Sequence, residues 1–328
     1  MPTPNLPVRV VFMGTPAYAV PTLQALQTDW AHVVGVVCQP DKPVGRGQQS
    51  TAPPVKTAAQ ALSIPVLQPV KLRHNAEFLQ QLRELAPDLI VVIAYGKILP
   101  TEILELPRFG CLNLHASLLP LYRGAAPIQW ALIRGETETG VTLMKMDEGL
   151  DTGAMLAKQT CAIAPVDDAR SLTDKLARAS ADLAAQAIPR WLAAELPAEP
   201  QDENLATLAP LLTKAMGEVN WKQPAIALRR LSRGLAAWPG LSSHLLGQRV
   251  KLGRVDALEI ATEASPGTIL AMTEAGWQVA TGDGVLLIQE IQLPGKPLRA
   301  AAEVARGWRD LRVGSSFTSE APSPLNVS

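Results

Sequence analysis

An asparagine and a histidine two positions apart carry the first chemistry that the sequence suggests. Asn113 and His115 lie in the run Cys111–His115, where leucines separate the polar residues. Because side chains alternate across a strand, a strand here would place Asn113, His115 and Ser117 on one face. The amide can donate hydrogen bonds, and the imidazole can give or take a proton near neutral pH. The same residues also fit a hydrogen-bonded core histidine beside a strand-ending asparagine.

A turn further along the chain is rich in carboxylates, at Asp147, Glu148 and Asp151. An EF-hand needs acids at alternate positions and a glutamate at loop position 12, and the sequence lacks that arrangement. The turn is therefore either a solvated surface turn or the source of a carboxylate that sets the tautomer and charge of His115. We favour Asp151, which a Thr-Gly pair follows, over Asp147 for that role.

A long Gly- and Pro-rich loop over residues 39–51 carries two cations, Lys42 and Arg46. Cations on such a loop could contact the phosphates of a nucleic acid. An ordinary solvated loop has the same composition, so the loop alone does not decide between the two interpretations.

The elements around these residues indicate an α/β fold. Strand-like and helix-like segments alternate over the first ~200 residues, which is typical of a parallel sheet. The run Leu89–Ala94 is continuously apolar, as a central strand buried on both faces should be. Ligands bind at the carboxyl ends of such strands, where Asn113 and His115 lie. We predict strands over 8–13, 33–38, 64–67, 89–94, 111–115, 140–146 and 154–163, and helices over 20–27, 54–62, 75–86, after Pro100 and over 171–194.

The pattern changes after a polar segment with three prolines at 195–210, which we interpret as a linker. A helix over Ala225–Leu235 and several short, glycine-separated apolar runs then predict a small β-barrel. The expected organisation is a domain over 1–194, the linker, a second domain over 211–318 and a disordered Ser/Pro-rich tail over 319–328.

Composition limits the possible classes of protein. The 328 residues are 47% apolar with zero net charge, so they can form a real core, and no apolar run approaches the ~20 residues that span a bilayer. Residues 208–318 contain 13 Lys/Arg against 9 Asp/Glu, a mild indication of a polyanionic partner. No secretory signal is recognisable, and three scattered cysteines indicate reduced thiols in the cytoplasm rather than a metal site.

Several catalytic motifs are missing from the sequence. The turn after the first strand has one glycine, Gly14, whereas a dinucleotide fold needs Gly-x-Gly-x-x-Gly. This argues against a nicotinamide dehydrogenase. The P-loop and the Gly-x-Ser-x-Gly motif are also absent, which argues against kinases and esterases.

The motifs that are present resemble the folate-dependent formyltransferase family. Asn113-x-His115, followed by Ser117-Leu118-Leu119-Pro120 and by Asp151 on a later turn, is similar to the catalytic set of that family. A further set of motifs is similar, more specifically, to the members of the family that act on methionyl-tRNA. This similarity is carried by residues 12–16, 39–41, 45–47, 94–96, 119–129, 149–153, 266–269 and 280–284.

The resemblance implies a Rossmann-like formyltransferase domain and a C-terminal OB-like β-barrel that helps to hold tRNA. The expected substrates are 10-formyltetrahydrofolate and initiator methionyl-tRNA, with no metal. Asn113, His115 and Asp151 would be catalytic, and Ser117, Leu118, Leu119 and Pro120 would line the folate site. Lys42 and Arg46 would contact tRNA, although the family commonly has arginine where this chain has Lys42. We expect a cytoplasmic monomer.

Two other functions share part of this evidence. A formyltransferase acting on a small amine would need the same three catalytic residues but neither the inserted loop nor a basic second domain. A non-catalytic RNA-binding protein would have no reason to retain three polar groups at a strand end, where each needs a partner or water.

Overall fold

The computed structural model describes residues 7–44 and 49–318 and divides the chain into two compact units. Among these residues, the first unit comprises 7–44, 49–127, 137–163 and 172–210, and the second comprises 128–136, 164–171 and 211–318. The predicted tail at 319–328 lies outside the described residues. None of the helices in the described ranges is long and apolar enough to cross a membrane.

The first unit contains a seven-stranded sheet. Five of its strands run parallel to one another, and each of the two strands at one edge pairs antiparallel with the strand before it. A short hairpin, also in this unit, interrupts the path from the second strand to the next strand of the sheet. The strands are β1 (Val8–Gly14), β2 (Ala31–Val37), the hairpin β3 (Lys42–Val44) and β4 (Gln49–Thr51), β5 (Val66–Leu67), β6 (Leu89–Ile93), β7 (Cys111–His115), β8 (Glu138–Lys145) and β9 (Met155–Ala162).

The helices follow the strands along the chain. They are α1 (Val20–Ala25), α2 (Pro54–Ala61), α3 (Ala76–Glu84), α4 (Thr101–Leu104), α5 (Pro127–Arg134), α6 (Ala169–Leu192), α7 (Ala225–Gly234) and α8 (Ala301–Gly307). Prolines open several of them, including Pro54 in α2, where the missing N–H costs no helical hydrogen bond. In α3 the side chain of Asn75 accepts a hydrogen bond from the Phe78 N–H, which caps the helix.

The strand order β5-β2-β1-β6-β7-β8-β9 is Rossmann-like. The chain moves outward from β1 to β2 and β5, then returns to the other side of β1 at β6, so the order reverses between β1 and β6. Central strand β6 is buried along its whole length, because it pairs with β1 and β7 and both of its faces are covered. Ligand sites of doubly wound sheets lie outside the carboxyl ends of strands at such a reversal.

The second unit is a small antiparallel domain. Its strands are β10 (Leu241–Leu245), β11 (Gln248–Leu252), β12 (Val255–Leu258), β13 (Ile269–Thr273), β14 (Gly276–Ala280), β15 (Val285–Ile288), β16 (Glu290–Gln292), β17 (Arg299–Ala300) and β18 (Phe317–Thr318). They form a five-stranded sheet in the order β17-β16-β11-β10-β18 and a four-stranded sheet in the order β12-β15-β14-β13. Three aromatic rings pack in its core: Phe317 has its ring centroid 4.9 Å from that of Trp221 and 6.4 Å from that of Trp277.

The predicted strands and helices of the first unit are confirmed, with ends that shift by a few residues. The strand over 111–115 has the predicted bounds, and the strands predicted over 140–146 and 154–163 are β8 and β9. Helix α5 and the β3–β4 hairpin were not predicted. The segment 195–210, interpreted as a linker, pairs with the first unit: Met155 and Glu199 exchange backbone hydrogen bonds of 2.8 and 2.9 Å.

A matched pair of isoleucines tests the assignment of the core. Ile90 in β6 is fully buried, whereas Ile98 in the same unit is 64% exposed. Ile90→Ala leaves a cavity and should lower the free energy of unfolding by about 2–5 kcal/mol, whereas Ile98→Ala should change it by less than about 0.5 kcal/mol. Urea unfolding of both variants measures the difference. Equal losses for the two variants would contradict the burial of β6.

Candidate active site

Strand β7 presents two polar side chains at the edge of the sheet where the parallel strands end. It lies between parallel β6 and antiparallel β8, with Asn113 opposite Val92 and Met144. The strand is polar only at alternate positions, so Asn113 and His115 lie on one side while buried leucines occupy the other. His115 is 7% exposed, and Asn113 is half-buried.

The carboxylate of Asp151 meets both side chains of β7. Asn113 Nδ2 lies 3.5 Å from Asp151 Oδ1, and His115 Nδ1 lies 3.6 Å from Asp151 Oδ2. The structure therefore brings together the three residues that the sequence singled out. Both distances are at or beyond the usual limit of a hydrogen bond, and catalytic contacts commonly tighten when substrate binds.

One ring nitrogen of His115 is bound to the backbone. Nε2 lies 2.9 Å from the carbonyl oxygen of Tyr122. A carbonyl oxygen can only accept, so Nε2 must carry a hydrogen, and Nδ1 is the nitrogen that faces Asp151. The geometry therefore leaves Nδ1 as the atom through which His115 can gain or lose a proton.

Asp151 is held from two directions. Its Oδ2 accepts a hydrogen bond of 2.8 Å from the backbone N–H of Gly124. Its own backbone has φ of +56°, a left-handed conformation that aspartate tolerates better than most residues. Gly124 has φ of +118°, and a side chain there would approach the carbonyl oxygen of Ala209 to 2.9 Å. Only glycine can bring this N–H so close to the carboxylate without strain.

A buried arginine network behind the site was missed by the sequence analysis. Arg123 is 5% exposed and donates from both terminal nitrogens to the Glu203 carboxylate at 2.8 Å. It also donates from Nε and Nη2 to Gln201 Oε1 at 3.0 and 2.9 Å. These bonds to Glu203 raise the pKa of Arg123, and the same bonds lower the pKa of Glu203. The motif around Arg123 was one possible signal, whereas Gln201 lies in a segment whose composition indicated a linker.

The segment predicted to line the folate site follows β7 directly. Ser117 and Leu119 are fully buried, whereas Leu118 and Pro120 are partly exposed. The Ser117 hydroxyl donates to the Leu121 carbonyl at 2.6 Å, so it is bound within the turn and does not continue the polar face of the strand. Thr142 fixes the segment further, since its hydroxyl accepts from the Leu119 N–H and donates to the Ser117 carbonyl.

The two residues predicted to contact tRNA belong to the inserted loop. Lys42 is exposed at the start of β3, and Arg46 lies outside the described residues. Asp41 ties the base of the hairpin to the unit: it accepts hydrogen bonds of 2.8 Å from Lys56 Nζ and 2.7 Å from Gln68 Nε2. The hydrogen bond from Gln68 has the largest effect on the pKa of Asp41 and the one from Lys56 the next largest, and both lower it.

Other reactive groups near the site have structural partners. Asp147 accepts from the Gly149 N–H and from the Thr152 hydroxyl, so it stabilises its own turn. Burial raises the pKa of the Cys111 thiol to about 12, which keeps this thiol neutral at pH 7. Within the ranges that the structure describes, no group of three His, Cys, Asp or Glu side chains is placed to hold a metal ion.

Comparison with known proteins identifies the family. The formyl transferase family model matches residues 8–188, and the model of the formyl transferase C-terminal domain matches residues 211–309. A methionyl-tRNA formyltransferase of Geobacter sulfurreducens is 48% identical over 303 residues, which cover 92% of this chain and 94% of the relative. The chain belongs to the methionyl-tRNA formyltransferase family. The resemblance inferred from the sequence motifs is thereby confirmed.

Solved structures share the fold at low identity. The sugar 3N-formyl transferase WlaRD superposes with a TM-score of 0.63 at 17% identity, covering 88% of this chain and 99% of the other. HypX from Aquifex aeolicus, solved with tetrahydrofolic acid, gives a TM-score of 0.59 at 19% identity, covering 90% of this chain and 46% of the other. At this level of identity the similarities concern the fold alone.

The contribution of the Arg123–Glu203 pair to the free energy of unfolding should depend on pH. Because folding lowers the pKa of Glu203, the pair stabilises the fold above the ordinary carboxyl pKa, and this contribution is lost as the pH falls through the lowered value. Glu203→Gln should therefore be less stable than the wild type at pH 7, and the gap should narrow with acidification. Urea midpoints between about pH 7 and pH 4 measure this gap.

Glu195→Gln is the matched control for this experiment. Both Arg190 and Glu195 are more than half exposed and lie 3.8 Å apart, whereas Arg123 is buried, so the loss of this surface pair should have little effect on stability. A gap for Glu203→Gln that does not change with pH, or that equals the control, would contradict the role given to the buried arginine.

Proposed function

We propose that the protein transfers the formyl group of 10-formyltetrahydrofolate to the α-amine of methionyl-initiator tRNA, for translation initiation. The observation that carries this proposal is the 48% identity to a methionyl-tRNA formyltransferase over nearly the whole of both chains. Both substrates follow from that family membership: the folate is the formyl donor, and the charged tRNA is the acceptor.

The reaction exchanges one carbon–nitrogen bond for another. The neutral α-amine attacks the formyl carbon, a new C–N bond forms, and a tetrahedral centre with an oxyanion results. Collapse of this centre breaks the bond between the formyl carbon and N10 of the folate. The proton lost by the amine balances the proton gained by N10, so no oxidant or reductant is consumed.

Asn113 is the donor that we assign to the oxyanion. One hydrogen of its amide points towards Asp151 at 3.5 Å, and the amide has a second hydrogen to donate. A fixed donor aimed at the developing charge lowers the barrier, and removing one such donor typically costs about 2.7–4 kcal/mol. Asn113 is half-buried at the carboxyl end of the strand, where a ligand can reach it.

His115 and Asp151 are the pair that we assign to the proton. Since Nε2 is bound to the Tyr122 carbonyl, the proton that His115 gives or takes is carried on Nδ1, beside the carboxylate. When Nδ1 is protonated, it can donate a hydrogen bond to the oxyanion, and Asp151 stabilises the positive charge of the ring. When Nδ1 carries no proton, it can receive one from the attacking amine, directly or through water.

The remaining assignments complete the substrate site. We propose that Ser117, Leu118, Leu119 and Pro120 form the wall of the folate site, with the partly exposed Leu118 and Pro120 as the members whose side chains contact it. Lys42 and Arg46 are proposed to contact phosphates of the tRNA. Lys42 is exposed at the start of β3, where a phosphate can reach it.

The second unit is proposed to be an OB-like barrel. Strands β11 and β12 follow one another across a short break and pair with β16 and β15, which also follow one another. Strand β18 pairs with β10, while Ile269 N–H donates to the Ser315 carbonyl and Phe317 N–H to the Gly267 carbonyl, each at 2.9 Å. These contacts join β10 to β13 through the last described residues, and a ring of strands closed in this way supports a barrel.

The organisation along the chain follows from these assignments. We propose a catalytic domain over 1–194, a connecting segment over 195–210 and a tRNA-binding domain over 211–318. We propose that the protein acts in the cytoplasm as a monomer, in which Asn113, His115 and Asp151 meet within one chain.

Formylation of charged tRNA tests the proposal. The wild-type protein should convert methionyl-initiator tRNA to its N-formyl form with 10-formyltetrahydrofolate, measured by mass spectrometry of the released amino acid. Asn113→Ala, His115→Ala and Asp151→Ala should each lower kcat about 100- to 1000-fold, and His32→Ala, at an exposed histidine of β2, should not. Near-wild-type turnover in any of the three would reject that residue's role. Turnover of small amines in preference to the charged tRNA would reject the acceptor.

A further inference from the structure

One side chain links the turn that carries Asp151 to the arginine beside the turn that contacts His115. Gln201 Nε2 donates to the carbonyl oxygens of Asp151 and Gly153, each at 2.8 Å. Its Oε1 accepts two hydrogen bonds from Arg123, whose neighbours provide the carbonyl for His115 and the N–H for Asp151.

The chemistry of these partners fixes the orientation of the Gln201 amide. Carbonyl oxygens only accept and a guanidinium only donates, so the amide nitrogen must face Asp151 and Gly153 and the oxygen must face Arg123. Both hydrogens of the amide and both acceptor positions of its oxygen are used. A side chain whose hydrogen bonds are all made in this way has little freedom to rotate, and it holds its partners at fixed positions relative to one another.

The backbone on either side of Gln201 is tied to the same two pieces of structure. Glu199 pairs with Met155, just after the Asp151 turn. Thr207 accepts at its hydroxyl from the Tyr122 N–H and at its carbonyl from the Arg123 N–H, each at 2.8 Å. The segment therefore runs from the turn that carries Asp151 to the turn that contacts His115, and Gln201 is the side chain between them.

The turn that carries Asp151 needs such support. Asp151 has a left-handed backbone at φ +56°, and a side chain at Gly153 would approach the Lys145 carbonyl oxygen to 1.9 Å. A backbone in this region is retained only where surrounding contacts fix it. A shift of about 1 Å in a catalytic group can cost about 100-fold in rate, so the position of this turn has direct consequences for turnover.

We infer that Gln201 is a positioning residue for the formyl transfer, which holds the Asp151 carboxylate in register with His115 by joining the Asp151 turn to Arg123. The inference rests on the proposed function for its kinetic consequences. Gln201 acts through Asp151 and Arg123 and is not itself assigned a contact with substrate.

Gln201→Glu separates the two halves of this role. The introduced carboxylate keeps the shape and the acceptors for Arg123 but loses both donors to the Asp151 turn. Its kcat should fall about 10- to 100-fold while both KM values stay within about threefold. Because protonation returns one O–H donor, the ratio of variant to wild-type kcat should recover as the pH falls towards the titration of the introduced carboxyl. Gln201→Met has no donor at any pH and should show a loss without recovery.

Amide hydrogen exchange gives a second readout that needs no activity. In Gln201→Glu and Gln201→Met, the amides over 147–153 should exchange faster than in the wild type, while the rest of the sheet is unchanged. Gln186→Glu, at an exposed glutamine of α6, is the control for both measurements. Wild-type exchange over 147–153 in both variants, an unchanged kcat, or a loss for Gln201→Glu that does not vary with pH would overturn the inference. An inactive wild-type protein would instead reject the proposed function, and the exchange data would still decide the role of Gln201.

Discussion

The carboxylate of Asp151 is largely removed from water, and the surrounding structure is arranged to satisfy it. Its side chain is 13% exposed, and an ionised carboxylate in such a place is costly unless donors replace the lost water. The donors come from separate parts of the chain: the amide of Asn113, the backbone N–H of Gly124 and, when its Nδ1 is protonated, the imidazole of His115. The same carboxylate is therefore both the constraint on the local fold and the group that faces Nδ1 of the imidazole.

This constraint has two consequences for the residues around Asp151, one at Gly124 and one at Arg123. Gly124 must lack a side chain because its backbone approaches Ala209 while its N–H reaches the carboxylate. Behind it, Arg123 is buried and needs the Glu203 carboxylate and the Gln201 oxygen to compensate for its desolvation. A segment near residue 200, to which we assign no group in the reaction, thus supports the turn that carries Asp151 and the turn that contacts His115.

Much of this site was predictable from the sequence, for identifiable reasons. Alternation along 111–115 placed Asn113 and His115 on one face, because successive side chains of a strand point to opposite faces. Asp151 was preferred to Asp147, and the structure gives the local role to Asp147, which stabilises its own turn. The roles of these residues in the reaction stay predictions until they are measured.

Other features were not predictable because they depend on contacts distant in sequence. The composition of 195–210 indicated a linker, since polar residues and prolines are typical of both linkers and segments that bind through hydrogen bonds. The polar face of β7 was extended one residue pair too far: Ser117 lies beyond the end of the strand, and its hydroxyl bonds to the Leu121 carbonyl. The hairpin within 39–51 was missed because its strands are three residues long and lack apolar alternation.

The tautomer of His115 is the most direct test of the account. Long-range ¹H–¹⁵N correlation spectra of protein labelled with ¹⁵N-histidine report which ring nitrogen keeps its proton at a pH where the imidazole is neutral, and a His115→Gln variant assigns the signal among the chain's four histidines. We predict a proton on Nε2, bound to the Tyr122 carbonyl, and an unprotonated Nδ1 facing Asp151. A neutral ring protonated on Nδ1 would contradict the hydrogen bond from Nε2 to the Tyr122 carbonyl and, with it, the proton route through Nδ1.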